Sequence, residues 1–541
     1  MESIRVERLR CLSDTGNIQI KPITVLLGQN SSGKSTFLRV FPLLKQSAES
    51  RTTGPILWNG RLVDFGSYED AHQNGTEESI SFSFNFQIQS DDSRFVYDED
   101  IFYVHPARFS RILHNIDISL TLVIAEDKKR ETTRTKKISL ALSGSKIEID
   151  FAENGNISGF FVNSLNLLKS GNKYAARQLS NKSILPTIVE IEPNRELESQ
   201  GLKLIDPFLR FQSLGLLEPL IKKTQKIAHP STSLRTISNM VSSFSIGTSE
   251  TMLRDIQNNR YAVKSWIKKT ANWTVETAEF QELRDLIIAS KIPSLFEKCD
   301  EILGNISRQI SYMGPARATA ERYYRTQDLA VDEVDYQGRN LAMFLRNLTE
   351  PERKNFESWT LRYFGFAVLI ETSLGHISIK IRYQKSDRKV NVADTGFGFS
   401  QILPIITQLW LLTTSPRRNS QASRRLRKGT LIFSIEQPEL HLHPRLQGIL
   451  TDAFISSIKA ASKQDVNLRL IIETHSEILV NRLGHLVARG KVSPEDINVV
   501  FFEQLDESGE TSVRTINFNA DGYLSNWPIG FFDMDLDWDA E

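Results

Sequence analysis

The sequence predicts an α/β fold in which a β-rich N-terminal part and a C-terminal α/β part are separated by a helical segment. Three observations support this prediction. A glycine-rich loop joins an apolar strand to a helix near the N-terminus, strictly alternating strands follow it, and two buried strands near the C-terminus end in polar residues. The spacing of apolar residues, with period two in strands and about 3.6 in helices, is the evidence for each element.

The chain has 541 residues, which suits roughly three to four domain-sized units. We predict an N-terminal lobe over residues 1–162, a helical insertion over 163–310 and a C-terminal lobe over 311–541. Lys plus Arg number 66 and Asp plus Glu 65, for a net charge of +1, so any contact with nucleic acid or membrane must be local. With two cysteines, no signal peptide and no apolar run long enough to span a membrane, we expect a soluble cytoplasmic protein.

The first element that carries chemistry is the loop after the apolar run Ile23 to Leu27. Residues Gly28 to Ser35 have the pattern G-x-x-x-x-G-K-S, and Thr36 to Leu44 continue with helical spacing. In this strand, loop and helix order the backbone N–H groups close around phosphate oxygens, Lys34 extends to the β- and γ-phosphates, and the Ser35 hydroxyl binds Mg²⁺. The residues predicted to contact ATP are Gly28, Gln29, Asn30, Ser31, Ser32, Gly33, Lys34, Ser35 and Thr36.

A second glycine-rich turn, NVADTGFGFSQILPII, lies directly before an apolar helix. Gly396 and Gly398 would let the phosphate of another molecule approach the backbone, and Ser400, the expected N-cap, would hold it with Gln401. In position and chemistry this stretch is similar to the signature motif of ABC-type ATPases. The alternative interpretation is an ordinary strand-to-helix turn.

The third element is LIFSIEQPELHLHP, an apolar strand followed by polar residues. Glu436 takes the place of the acid that holds Mg²⁺ in the Walker B motif. Gln437 follows at the position where fast ABC-type enzymes carry the glutamate that activates water. An amide can orient water but cannot accept its proton, so Glu439 is the alternative base.

Three histidines lie in these C-terminal motifs. His475 follows the apolar run of LRLIIETHSEILV, where ABC-type ATPases carry their switch histidine; the alternative is a structural histidine. His441 and His443 alternate and could ligate a metal from one face of an extended segment. We expect them instead to shape the turn into the helix that Pro444 begins.

The motifs GQNSSGKS, DTGFGFSQ, IEQPELHLHP and IIETHSE, in this order, resemble those of ABC-type AAA ATPases related to the SMC and OLD groups. The resemblance implies an ABC-type P-loop NTPase head with a β-rich N-terminal lobe and a helical insertion. It also implies ATP and Mg²⁺ as cofactors, and a homodimer or higher oligomer whose nucleotide sites are shared between subunits. Residues 163–310 are not specified by it, and no heptad run is long enough for an SMC-length coiled coil.

Two further stretches, YMGPARATAERYYR at Tyr312 to Arg325 and WPIGFF at Trp527 to Phe532, resemble elements of the PtuA ATPases of Septu and retron antiphage systems. PtuA-type ATPases act with a separate HNH nuclease, PtuB, and in retron versions with a reverse transcriptase and its msDNA. OLD-type proteins carry a Toprim nuclease domain after the ATPase. The segment after His475 is too short for such a domain, so we expect no nuclease domain in this chain.

Local positive charge concentrates in SPRRNSQASRRLRKG, which contains no acid. The basic residues of this cluster are Arg417, Arg418, Arg424, Arg425, Arg427 and Lys428. They indicate either nucleic-acid phosphate contact or a solvated loop. The leading hypothesis is a slow ATP-dependent switch that controls a nuclease in antiviral defence. The alternative is an SMC-like repair or chromosome-handling ATPase that acts directly on DNA.

Overall fold

The computed structural model describes residues 1–88, 115–170, 173–177, 183–191, 207–414, 430–505 and 510–525. The basic cluster from Arg417 to Lys428 and the stretch Trp527 to Phe532 lie outside these residues. The chain divides into two compact units. The first comprises Met1–Arg5, Ser47–Leu57 and Glu77–Gly304, and the second comprises Val6–Gln46, Trp58–Thr76 and Asn305–Glu541. The domain boundaries at 162 and 310 stay a prediction.

The secondary structure alternates between strand-rich and helix-rich parts of the chain. The strands of the described residues, β1 to β21, are Ser3–Leu9, Leu12–Asp14, Ile18–Gln19, Ile23–Gly28, Ile80–Ile88, Ile116–Asp127, Thr132–Leu142, Ser145–Phe151, Ile157–Val162, Leu165–Asn166, Tyr174–Arg177, Thr187–Glu190, Ile310–Met313, Tyr324–Arg325, Phe366–Ser373, His376–Tyr383, Lys389–Asn391, Thr430–Glu436, Asn467–Glu473, Ile497–Gln504 and Thr511–Ile516. The α-helices of the described residues, α1 to α13, are Lys34–Leu38, Val40–Glu49, Tyr68–Ala71, Pro207–Ala228, Leu234–Ser243, Ser249–Gln257, Lys264–Thr270, Ala278–Arg308, Leu341–Arg346, Glu350–Phe364, Phe397–Thr414, Pro444–Ser462 and Glu477–Ala488.

In the first unit, strands β5 to β10 pair antiparallel in chain order. Along β5 the alternating residues Ile80, Phe82, Phe84, Phe86 and Ile88 are all buried. Side chains of a strand alternate between the two faces of a sheet, so these five residues form one apolar face that is buried. The alternation in the sequence therefore predicted these strands correctly.

In the described part of the predicted helical insertion the first α-helix begins at Pro207, whereas the sequence suggested helical structure from about residue 163. Leu165–Asn166, Tyr174–Arg177 and Thr187–Glu190 are strands, because β10 pairs with β9 and β11 pairs with β12. Helix α8 carries an apolar stripe in which Leu295, Cys299 and Leu303 are fully buried. The stripe is core packing. No helix of the described residues is long and apolar enough to cross a membrane.

The second unit is built on a six-stranded sheet with the order β13-β18-β19-β4-β20-β21. All neighbouring strands are parallel except β21, which pairs antiparallel with β20. The register pairs Glu436 with Glu473 and Glu473 with Leu26. The carboxyl ends of β18, β19 and β4 therefore meet at one edge, which is where open α/β sheets bind ligands.

The inner strands β4, β18 and β19 of this sheet are mostly buried on both faces, as in other parallel sheets covered by helices. Val25, Phe433, Ile435 and Ile472 belong to one buried core with apolar residues of α11, α12 and α13. A smaller sheet of β14, β16, β15 and β17 lies before α11 in the same unit. Its last strand, β17, leads directly into the glycine-rich segment ahead of α11, so both glycine-rich loops belong to the second unit.

Candidate nucleotide-binding site

The loop between β4 and α1 has a backbone that requires glycine at two positions. Gly28 has a φ of 145° and Gly33 a φ of 91°. A Cβ atom at Gly28 would lie 2.0 Å from the carbonyl oxygen of Phe502, and one at Gly33 would lie 2.7 Å from Cδ2 of Leu12. Larger side chains are excluded because the loop packs against the neighbouring strands. The loop therefore keeps its shape through its own sequence and surroundings.

The other predicted loop residues divide by exposure. Gln29, Asn30 and Ser31 are exposed, whereas Ser35 and Thr36 are half-buried and Ser32 is buried. The Ser32 hydroxyl donates a hydrogen bond of 2.8 Å to the carbonyl oxygen of Gln29. This bond closes the turn internally, so the loop is a compact structure.

Lys34, the first residue of α1, is 3% exposed. Its Nζ donates hydrogen bonds to the carbonyl oxygens of Gly28, at 2.9 Å, and of Gln29. Burial lowers the pKa of Lys34, and the nearby charge of Glu473 opposes this effect. The ammonium group thus lies inside the loop, where it concentrates positive charge for an anion.

Two carboxylates face each other at the ends of adjacent strands. Glu436 ends β18 and Glu473 ends β19, and both side chains are buried. The Ser35 hydroxyl donates a 2.6 Å hydrogen bond to Oε1 of Glu473. Burial, and secondarily the charge of Glu436, raise the pKa of Glu473 to about 7. The Oε2 atom of Glu473 has no hydrogen-bond partner among the described residues, so an oxygen acceptor remains beside Ser35.

The carboxylate of Glu436 is held by two other residues. Arg39 donates from Nε to Oε1 at 2.7 Å and from Nη2 to Oε2 at 2.8 Å, while the Tyr312 hydroxyl donates to Oε1 at 2.7 Å. These bonds to Glu436 raise the pKa of Arg39 above its ordinary value. A two-point pairing of guanidinium with carboxylate fixes direction as well as distance. The predicted Mg²⁺ ligand is therefore engaged by an arginine, and its metal role stays a prediction.

The turn after β18 contains the two candidates for activating water. Gln437 has a left-handed φ of 42°, and its N–H donates a 2.8 Å hydrogen bond to the carbonyl oxygen of Glu473. Glu439 accepts a 2.8 Å hydrogen bond from the N–H of His475 through Oε1. Its Oε2 is enclosed and has no partner among the described residues, and burial raises the pKa of this carboxyl. Both candidates therefore lie close to the end of β19.

His475 lies immediately beyond β19, next to Thr474, and is half-buried. Burial, followed by the charge of Lys34, lowers the pKa of His475 below its ordinary value. This shift favours the neutral imidazole, which can either donate or accept a hydrogen bond. The structure brings His475 next to Glu439 and within the influence of the loop lysine, while the catalytic roles of these residues stay a prediction.

The other two histidines act on the turn itself. His443 caps α12, because its Nδ1 accepts a 3.2 Å hydrogen bond from the N–H of Arg445 and Pro444 is the first helical residue. This confirms the expectation that the segment shapes the turn into the helix. His441 is exposed, has a φ of 60°, and contacts the ring of Phe397 edge-to-face with centroids 4.7 Å apart.

The glycine-rich segment before α11 departs from one expectation. Helix α11 begins at Phe397, directly after Gly396 with its φ of 87°. Ser400 is 5% exposed and donates a 2.6 Å hydrogen bond to the carbonyl oxygen of Phe397. The prediction that Ser400 is the N-cap is wrong, because the left-handed glycine starts the helix earlier and places Ser400 inside its first turn.

Two neighbours of Ser400 also make contacts within the chain. A Cβ atom at Gly398 would lie 2.8 Å from the carbonyl oxygen of His441. Gln401 is buried and donates through Nε2 to the carbonyl oxygen of Arg317 at 3.3 Å. The start of α11 therefore packs directly on the turn that follows β18.

Sequence reasoning assigned no role to four residues that this site uses. Glu473, Arg39, Tyr312 and Arg317 all contact the predicted motifs through side chains. Glu473 could have been found, because two buried strands each ending in glutamate predict adjacent carboxylates when the strands are neighbours in a parallel sheet. For Tyr312 and Arg317 the stretch YMGPARATAERYYR was noted, but only as a resemblance.

The geometry described above is that of a P-loop site. Known proteins that are similar to this chain identify its family. Residues 1–480 match the AAA ATPase domain family. The chain belongs to that family. Residues 492–539 of this AAA ATPase match a second family, described as a protein of unknown function, DUF3696. A comparison with curated proteins finds no match.

Solved structures of SMC heads are similar to this AAA ATPase at low sequence identity. One is the SmcHead bound to the C-winged helix domain of ScpA, with 10% identity, a TM-score of 0.35, and coverage of 95% of this chain and 98% of that chain. Another is the SMC head domain from Thermotoga maritima, with 8% identity, a TM-score of 0.33, and coverage of 95% and 97%. At these scores the likeness says nothing about individual residues or function.

The residues of the site fit Mg²⁺ and ATP, the cofactors that the AAA ATPase family implies. Mg²⁺ takes one or two carboxylates, a hydroxyl and the phosphate oxygens of its substrate rather than an all-protein cage. Ser35 and the unpartnered Oε2 of Glu473 supply oxygens of this kind. No group of three or more His, Cys, Asp and Glu side chains forms a metal site in the described part of the chain. The backbone N–H groups before Lys34 supply the anion-binding side.

Proposed function

We propose that this AAA ATPase is a slow ATP-hydrolysing switch that controls an associated PtuB-like HNH nuclease in antiviral defence. The observation that carries the ATPase part is the meeting of Lys34, Ser35 and Glu473 at the carboxyl ends of the parallel strands β4 and β19. A cation, a hydroxyl and a buried carboxylate converge there on the loop whose backbone binds phosphate. The nuclease part is supported by the sequence resemblance alone.

Each residue has a defined task in this proposal. The loop N–H groups and Lys34 bind the triphosphate, and Ser35 with Glu473 holds Mg²⁺. When bound, Mg²⁺ neutralises charge that develops on the phosphate oxygens. Gln437 orients the attacking water through its amide, and Glu439 accepts the proton from that water.

Slow turnover follows from how these groups are engaged. The Gln437 amide cannot accept a proton, and one oxygen of Glu439 is already bonded to the N–H of His475. We expect a rate well below the roughly 10 s⁻¹ median of enzymes. A long-lived ATP state suits a sensor that holds and releases an effector better than it suits a motor.

We further propose that two copies share each nucleotide, as the resemblance to ABC-type ATPases implies. Gly396 and Phe397, at the start of α11, are exposed, so this edge is accessible to a second copy. The N–H groups at the start of that helix would face the phosphates of the partner's ATP. A homodimer with two composite sites, or a higher oligomer of such dimers, results.

The proposed partners are the PtuB-like HNH nuclease and, in a retron complex, a reverse transcriptase with its msDNA. The alternative function is an SMC-like ATPase that acts directly on DNA. The longest α-helix of the described residues has 31 residues, or about 46 Å. That length gives no support for the long coiled-coil arms used to tether DNA, and the defence proposal is preferred.

A paired experiment tests the proposal. Hydrolysis of radiolabelled ATP is measured for wild type and Lys34→Ala, and wild type is co-expressed with an HNH nuclease under Mg²⁺-ATP. We expect slow hydrolysis that Lys34→Ala abolishes, and a purified complex whose nuclease activity depends on the nucleotide state. Equal hydrolysis by Lys34→Ala contradicts the ATPase part. Direct ATP-dependent binding of DNA without any nuclease favours the SMC-like alternative.

A further inference from the structure

Arg317 is the most deeply buried arginine around the site and its side chain is only partly bonded. It is 5% exposed. Its Nη2 donates to the carbonyl oxygen of Glu436 at 2.6 Å and to that of Gln437 at 3.3 Å. Its Nε and Nη1 have no acceptor among the residues that the structure describes. An always-charged group therefore lies under the turn after β18 with unused donors.

Glu439, in the same turn, is a carboxylate that is also only partly hydrogen-bonded. Its Oε1 bonds to the N–H of His475, while its enclosed Oε2 lacks a partner within the described parts of the chain. Burial lowers the pKa of Arg317 to about 10. The charge of Glu439 is the largest of the effects that oppose this lowering. The rise that burial causes in the pKa of Glu439 is opposed first by the hydrogen bond from the His475 N–H, also by the Thr474 side chain, and less by Arg317. Arg317 therefore acts on Glu439 chiefly by holding the turn that carries it.

A purely structural role does not explain why this residue is an arginine. Burying an ionised group costs several kcal/mol unless it is well paired. A neutral amide could donate hydrogen bonds to the same two carbonyl oxygens with a much lower desolvation cost. The positive charge is therefore the property of Arg317 that needs an explanation, and the nearby carboxylate of Glu439 supplies it.

The backbone of Arg317 is anchored on two sides, so its charge has a fixed position. Its carbonyl oxygen accepts the hydrogen bond from Gln401 in α11. The N–H of the next residue, Ala318, donates to the carbonyl oxygen of Gln337 at 2.8 Å. Arg317 therefore connects the start of α11 with the turn that contains Gln437 and Glu439.

We propose that Arg317 is a positioning residue for Glu439: it holds the carbonyl oxygens of Glu436 and Gln437 and so fixes the turn from which Glu439, and not Gln437, takes the proton of water. The inference rests on the proposed ATP hydrolysis. In that step the water oxygen bonds to the γ-phosphorus as the bond to the β,γ-bridging oxygen breaks. ADP leaves with the electron pair, and the water proton passes to Glu439 and then to solvent.

A double-mutant cycle of Arg317→Gln and Glu439→Gln tests this inference. The matched control is Arg325→Gln, an exposed arginine of the same stretch. Single-turnover hydrolysis, affinity for a fluorescent ATP analogue and melting temperature are measured for each variant. We expect Arg317→Gln to slow hydrolysis about 100-fold, a typical general-base effect, with nucleotide affinity unchanged and with a lower melting temperature, since buried Glu439 then lacks a compensating charge. The double variant should be no slower than Glu439→Gln alone, because Arg317 acts through Glu439.

Two results overturn the inference. One is a double variant that is slower by the product of the two single effects, which means that Arg317 acts independently of Glu439. The other is an Arg317→Gln variant with normal hydrolysis. Because Arg317→Gln is expected to lower the melting temperature, the cycle is measured at a temperature at which every variant is folded, and the same two results apply. Failure of the proposed ATPase function would give a different result from failure of this inference, because wild type and Lys34→Ala would then hydrolyse ATP equally.

Discussion

The clearest energetic prediction concerns Glu473, whose carboxyl is 3% exposed. Its pKa rises from 4.5 to about 7 in the folded protein, mainly through burial. A carboxyl with a raised folded pKa stabilises the protein fully below pH 4.5 and loses that contribution as the pH rises through about 7. Above that pH the ionised form costs about 3 kcal/mol. The nucleotide-free protein therefore carries an electrostatic cost at this position at pH 8.

Glu473→Gln removes the charge while keeping an oxygen that can accept the Ser35 hydrogen bond. Weakening that bond costs about 1 kcal/mol, which leaves a net gain of about 2 kcal/mol at pH 8. For a unit of this size the gain corresponds to roughly 4 °C in melting temperature. At pH 5 wild-type Glu473 is protonated, so the difference should nearly disappear. Mg²⁺-ATP should raise the melting temperature of wild type and not that of the variant.

The assay is thermal unfolding in EDTA at pH 5 and pH 8, followed by the same scans with Mg²⁺-ATP. Glu495→Gln, which removes an exposed carboxylate, is the matched control and should change neither scan. A Glu473→Gln protein that melts below wild type at pH 8 would refute the reasoning. Equal stabilisation at both pH values would refute it as well, since the effect would not follow ionisation.

Three further outcomes are expected. Phe397→Asp, at the exposed start of α11, should abolish ATP-dependent dimerisation in sedimentation velocity but keep the monomer's nucleotide affinity; normal dimers would remove this edge from the interface. Glu439→Gln should lower single-turnover hydrolysis about 100-fold or more, whereas Gln437→Glu should not slow it; the opposite ranking would assign the base to position 437. Gly28→Ala should eliminate nucleotide binding in calorimetry and destabilise the fold, because its Cβ would lie 2.0 Å from a carbonyl oxygen; normal binding would contradict the described loop.

The features that could be predicted from the sequence are those encoded in contiguous residues. The loop from Gly28 to Ser35 requires a particular backbone shape, and the alternation along β5 requires one apolar face. The Pro444 helix start also depends on a local signal, which His443 completes. In each case the neighbours in sequence are the neighbours in space.

The features that were missed depend on contacts between distant segments. Arg39 and Glu436 are separated by 397 positions, and Ser35 and Glu473 by 438. No local pattern indicates which of two strand-end glutamates pairs with an arginine, because the strand order decides it. Ser400 was assigned to the wrong helix position for a local reason, since both Gly396 and Gly398 could have ended the preceding turn. The roles of the site residues stay predictions.

The ion pair between Arg39 and Glu436 has a consequence for where the protein can move. With Tyr312, it ties the residue that caps the end of helix α1, strand β18 and strand β13 together at the floor of the site. Because the guanidinium already neutralises Glu436, the charge of this floor is balanced before any nucleotide arrives. The segment from Gln437 to His441 continues from this floor toward the start of α11, and two of its residues have left-handed backbone conformations. A partner protein that detects the nucleotide state would therefore have to contact that turn or the start of α11 beside it.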